Sequence, residues 1–127
     1  MKIFGHEYGM LYTVGAQQEI AALCPGKDIA KLPEALRATE TESGAERTAR
    51  LPLILSKWHE RAESAAAKAE GREYAEKPLT WEQIELLDQD QFVELIAEAF
   101  TAMANGRQRS VEADAEPEKK TETTAAC

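Results

Sequence analysis

Aromatic residues make up only 6% of this 127-residue chain, and cysteine occurs twice, at Cys24 and Cys127. So few ring-bearing side chains argue against a sheet-rich fold, and abundant alanine favours helices that pack closely through small side chains. Two cysteines make neither a disulfide scaffold nor a metal-type spacing, so both are expected to be free thiols in a reducing compartment. Long hydrophobic runs are missing as well. None approaches the ~18 residues needed to span a membrane, and the opening Met1-Lys2-Ile3-Phe4-Gly5-His6-Glu7 carries no apolar h-region of a signal peptide. Positive charge is the last shortage. The formal net charge is −8, which disfavours nucleic acid bound by counterion release and disfavours an anionic membrane surface. A basic or apolar protein partner suits it better.

Constellations for catalysis are also missing. Histidine occurs only as His6-Glu7 and His59-Glu60, and side chains adjacent in sequence point apart on a strand or helix. Neither pair is therefore expected to act as an acid–base couple. No HExxH arrangement exists, because Glu63 stands at i+4 from His59 where a second histidine would be needed. Cys24 precedes Pro25 and reads as a buried packing thiol rather than a nucleophile. GxSxG, P-loop and GxGxxG patterns are absent. The expectation is a chain that is not an enzyme and needs no cofactor or metal.

What is present points to one mainly α domain, residues 1–105, followed by a charged tail, residues 106–127, expected to be disordered. Lys2-Ile3-Phe4 and Met10-Leu11-Tyr12-Thr13-Val14 are β-prone runs around a glycine-bounded turn at residues 5–9, which predicts a small N-terminal β-hairpin. A bundle of about four to five helices should pack on it. A short helix over residues 16–23 is stopped by Pro25-Gly26, and Asp28 caps a second segment in which Pro33 stands near the start or the middle. Residues 45–70 form the longest periodic stretch, with Leu51, Leu55, Trp58, Ala62, Ala65 and Ala69 on one face, an i,i+4 pair at Glu46 and Arg50, and a stop at Gly71. Pro52 is discordant there; it should mark the first turn or bend the helix. Residues 71–78 read as a linker. Thr80-Trp81-Glu82-Gln83 is a capping-box pattern, and Asp88 starts a second helix ending at Asn105-Gly106. Trp58 and Trp81 are expected in the core.

The last helix is the informative one. Gln91, Glu94, Glu98, Thr101 and Asn105 line up as one narrow polar stripe, and nearly every other position is apolar. An ordinary surface helix hides a stripe somewhat over ~100° wide, so in a body this small some apolar surface should face outward unless covered. Phe92, Ile96, Phe100 and Met103, with the flanking Glu94 and Glu98, are the candidate partner-binding residues. From Pro78 to Gly106 there is no Lys or Arg, while Glu82, Glu85, Asp88, Asp90, Glu94 and Glu98 are all acidic. That sign argues against reading the last two helices as a DNA-binding helix-turn-helix. It favours a partner whose apolar residues are flanked by basic ones.

These residues carry a resemblance. The opening Lys2-Ile3-Phe4-Gly5-His6-Glu7-Tyr8, then Thr13-Val14-Gly15-Ala16 leading to Leu23-Cys24-Pro25, then Pro78-Leu79-Thr80 before a short helix and a Phe-rich helix, and the lysine-containing tail, are similar to small tail assembly chaperones of long-tailed bacteriophages and prophages. Pro52 inside the long helix departs from that pattern. The resemblance implies a protein of the infected or lysogenic host cytoplasm that binds the long helical tape-measure protein, prevents its aggregation, and helps to recruit tail-tube protein. It also implies absence from the finished virion, and in many such systems a second, longer product made by ribosomal frameshifting. Lys119-Lys120 is where an A-rich slippery run would fall. Homo-oligomerisation is compatible with the same apolar helix. The alternative is a head–tail connector or minor tail protein retained in the particle.

Overall fold

The computed structural model describes the backbone of residues 1–115 and the side chains of residues 1–106. Lys119-Lys120, Cys127 and the tail beyond Ala115 lie outside the described residues. The fold is mainly α with one minimal sheet. Strands β1 (Lys2–Ile3) and β2 (His6–Glu7) pair antiparallel, with Lys2 opposite Glu7 and Ile3 opposite His6. Helices follow as α1 (Val14–Ala22), α2 (Leu32–Ala35), α3 (Gly44–Thr48), α4 (Arg50–Ala69), α5 (Trp81–Glu85) and α6 (Gln89–Ala115), with 3-10 turns at Pro25–Lys27 and Ile29–Lys31.

The hairpin is tighter than expected. Its loop is Phe4-Gly5, both at positive φ (49° and 82°), which is the geometry of a two-residue turn whose twist matches the strands. Residues 10–13 form no strand; the Leu11 N–H instead donates to the Leu55 carbonyl at 3.2 Å, which holds this segment against α4. Gly9 is needed for packing rather than for the turn, because a methyl there would stand 2.4 Å from the His59 ring. Phe4 is 62% exposed, so little contact offsets its left-handed backbone, which costs ~1–2 kcal/mol in an L-residue. Phe4→Asn, which creates the Asn-Gly pair favoured in such turns, is expected to raise stability by about 0.5–1 kcal/mol. Thermal unfolding should show a rise of a few degrees; an unchanged or lower midpoint would contradict this reading.

Helix starts follow their capping residues. The Ala16 N–H donates to Thr13 Oγ1 at 3.0 Å at the start of α1, and the Ala30 N–H donates to Asp28 Oδ1 at 3.1 Å. Reciprocal capping boxes join Ser43 with Glu46 and Thr80 with Gln83. Asp88 and Gln91 exchange backbone and side-chain bonds in the same way before α6, at 2.8 and 3.1 Å. Because Glu46 is engaged at its own helix start, Arg50 pairs with Glu42 instead, and Arg47 joins the same carboxylate.

The long periodic stretch is two helices that meet at Ala49. Pro52 stands in the first turn of α4, where a backbone N–H has no intrahelical acceptor to lose. The inner face of α4 also differs from the expected one. Leu51 and Leu55 are fully buried, but Ala65 and Ala69 are exposed and the buried line continues through Ser56, Glu60 and Ala67. The cause is the chain reversal after α4. Gly71 (φ 74°) ends the helix with two bonds, Arg72 N–H to Ala67 O and Gly71 N–H to Lys68 O. Residues 72–80 then return along α4 as a strap. The expected linker is thus tied to α4 at Glu60 and Ser56, while residues 71–77 stay exposed.

The expected stop at Asn105-Gly106 is overturned, since α6 runs through both residues to Ala115. Gly106 is required by a close crossing: a methyl there would stand 2.7 Å from Tyr12 Cβ. Two apolar clusters hold the fold together. One joins Ala16, Ile20 and Cys24 of the α1 region with Leu32, Ala35, Leu51, Leu55, Ala99 and Met103. The other joins Ile3, Tyr8, Ala49, Leu79, Ile84 and Leu95.

Candidate partner-binding surface

Helix α6 is seated by Leu95, Ala99 and Met103, spaced i, i+4, i+8 and all buried. Half-buried Phe92 and Ala102 pack beside that line, and the remaining circumference lies outside the two clusters. Val93 is 57% exposed and Phe100 43% exposed, and Ala97 and Ala104 are exposed between and beyond them. Positions 93, 97, 100 and 104 follow a 4-3-4 spacing, which places them in one row along the helix. Beside it runs a second exposed row, Asp90, Glu94 and Glu98. An apolar row flanked by carboxylates is thus presented to solvent.

The expected binding residues divide between surface and core. Phe100, Glu94 and Glu98 are exposed, Phe92 and Ile96 are half-buried, and Met103 is buried at 4% exposure. Met103 therefore belongs to the core with Leu51, Leu55 and Ala99 and leaves the candidate surface. Val93, Ala97 and Ala104 replace it. Their common row could have been drawn from the sequence; what could not be drawn is which side of a nearly all-apolar helix faces α4.

Trp81 is 37% exposed, contrary to its expected core position. It walls a depression of about 330 Å³ between α3, α5 and the start of α6, together with Ala45, Ala49, Ile84, Leu87 and Phe92; Glu46, Glu85 and Asp88 stand at its rim. A second hollow, about 540 Å³, lies between residues 7–12 and the polar side of α6, where Glu94, Glu98, Thr101 and Asn105 line it. Trp58 is half-buried, and its Nε1–H donates to Glu19 Oε2 at 2.8 Å. Burial alone would raise the Glu19 pKa, but hydrogen bonds from Lys57 and Trp58 outweigh it and hold the carboxyl below its ordinary range.

The histidine pairs behave differently from one another. His6 meets the Tyr8 ring edge-on, with centroids 4.5 Å apart. His59 Nδ1, contrary to expectation, lies 3.2 Å from Glu60 Oε2. Glu60 is buried and is occupied structurally. Its Oε1 accepts from Tyr74 Oη–H and from the Lys77 N–H, both at 2.9 Å, so it fastens the strap. Ser56 Oγ does the same for the Leu79 N–H at 2.9 Å. Burial pushes the Glu60 pKa up, and these donors outweigh it, leaving the carboxyl below its ordinary value. Burial raises the Cys24 thiol pKa, Asp28 adds to the effect, and the thiol donates to the Ile20 carbonyl at 3.4 Å. Cys24 is a packing residue. Among the described residues, no group of three His, Cys, Asp or Glu could hold a metal ion, and no helix is long and apolar enough to cross a membrane.

The arrangement on α6 can bury apolar side chains of a partner and attract basic ones. Full burial of a side chain such as Val93 or Phe100 contributes about 1.5–3 kcal/mol. Comparison of the chain with known protein families, with curated proteins and with solved structures finds no match.

Proposed function

We propose that this chain is a tail assembly chaperone of a long-tailed bacteriophage or prophage, acting in the host cytoplasm on the tape-measure protein. The observation that carries the reading is the exposed row Val93, Ala97, Phe100 and Ala104 beside Asp90, Glu94 and Glu98. The sequence resemblance described above gives that surface its client. A tape-measure protein is long and helical, and its unassembled apolar faces need cover. One such face laid along α6 is the helix-in-groove mode of recognition. The carboxylates beside the row keep the complex hydrated and favour client segments that bear Lys or Arg. Tail-tube subunits then replace the chaperone by competing for the same client surface, so the chaperone does not enter the particle.

Co-expression of the tape-measure protein with and without this chain tests the reading. The client is expected to move from the insoluble to the soluble fraction and to co-purify with the chain. Mass spectrometry of purified particles supplies the second measurement. A stoichiometric amount of the chain in the particle would overturn the chaperone reading in favour of a head–tail connector or minor tail protein.

A further inference from the structure

We infer that the depression between α3, α5 and the start of α6 is a socket for one bulky apolar side chain on a partner helix that carries Lys or Arg beside that residue. The inference rests on the client reading for the identity of the partner, but not for the chemistry of the socket. Its volume of about 330 Å³ has room for a leucine or phenylalanine side chain. Buried Ala49 and Ile84, half-buried Phe92 and Leu87, and exposed Trp81 and Ala45 supply its apolar lining.

Charge selects the occupant. Glu46, Glu85 and Asp88 stand at the rim, and two of them are fixed in place. Glu46 Oε1 accepts the Ser43 N–H at 2.7 Å, and Asp88 Oδ1 accepts the Gln91 N–H at 2.8 Å. The nearby cations Arg47 and Arg50 are both paired with Glu42, and residues 78–106 contain no other. Fixed carboxylates beside the apolar side chains of this open depression attract a cation next to an apolar anchor and repel an acidic segment. The same argument disfavours a second copy, whose exposed α6 row is itself bordered by Asp90, Glu94 and Glu98. Phe92 lines the socket, and Ile96 lies one turn further along α6 beside Val93 and Phe100. Socket and row are therefore continuous, and one partner helix can engage both.

Two synthetic amphipathic helical peptides test this, both with a central leucine anchor, one flanked by lysines and the other by glutamates. The lysine peptide is expected to bind at least about tenfold more tightly. In the nuclear magnetic resonance spectrum it should move the Trp81 indole N–H signal and leave that of Trp58 in place. Ala45→Trp fills the socket and is expected to weaken the lysine peptide about tenfold. Glu85→Lys, at an exposed rim position, should weaken it without touching the packing. Equal affinity for the two peptides, no binding of either, or a folded Ala45→Trp chain that binds as tightly as wild type would each overturn the socket. So would self-association of the wild type that Ala45→Trp abolishes, since that would place a second copy there. Wild type and Ala45→Trp solubilising the tape-measure protein equally well would remove the socket and leave the chaperone reading standing. Failure of the wild type to solubilise it would remove the chaperone reading and leave the peptide result intact.

Discussion

Replacing Val93 and Phe100 together by glutamate is expected to give a folded chain that, under the proposed chaperone function, fails to keep the tape-measure protein in solution. Both side chains are substantially exposed, so neither new carboxylate is forced into a dry environment. Binding loses two apolar contacts worth about 1.5–3 kcal/mol each and gains two desolvated charges, which together remove a hundredfold or more of affinity. Circular dichroism should match wild type while the soluble client fraction falls to the level seen without the chain. Met103→Glu is the contrasting control. That position is buried among Leu51, Leu55 and Ala99, and an unpaired charge there should unfold the protein. A folded double mutant that still solubilises the client would take the α6 row out of the binding surface.

Glu60→Leu is expected to cost about 1.5–3 kcal/mol of stability, because it removes a buried carboxylate that accepts from Tyr74 and Lys77. Thermal unfolding should fall by about ten degrees in a domain of this size. Hydrogen exchange at Lys77 and Leu79 should rise more than exchange within α1, since the strap opens first. The pH dependence has a definite sign. Glu60 is held below its ordinary value of 4.5, so its contribution is complete above that value and is lost as pH falls through the depressed folded value. Tyr74 is shifted the other way, from 10 to about 12, by burial first and then by its bond to Glu60. Its contribution is complete below pH 10 and is lost as pH rises toward 12. Wild type and Glu60→Gln should therefore differ most between these limits and converge in acid. A constant difference across the acid range would refute the role given to the Glu60 charge.

Local chemistry was readable in the sequence wherever one residue type has one favoured position. Thr80 with Gln83, Asp88 with Gln91, Asp28, and Gly71 all act at the helix ends their chemistry suggests. Glycine misled where its role is the absence of a side chain rather than a backbone angle. Gly9 and Gly106 look like a turn and a stop, yet each makes room for a ring or side chain distant in sequence, His59 and Tyr12. Phe4 misled in the opposite direction, as an aromatic in a turn position that asparagine or glycine usually fills. For the candidate site, the apolar breadth of α6 and its acidic border were legible, but the assignment of Met103 to the core and of Val93 to the surface depends on where α4 crosses. Trp81 and its hollow depend on α3 meeting α5 and α6, which no local pattern encodes.

The second apolar cluster joins Ile3 and Tyr8 to Leu79, Ile84 and Leu95. A ribosome adds ~5–20 residues per second, so the hairpin waits on the order of 5–20 s for its last partner to be made. Throughout that interval Ile3 and Tyr8 have no permanent cover. A nascent chain stalled anywhere before α6 carries an unfinished core, whatever helices it has already formed. The hairpin's apolar side chains are therefore fully covered only once α6 has been made, so the sheet and the last helix close the core together.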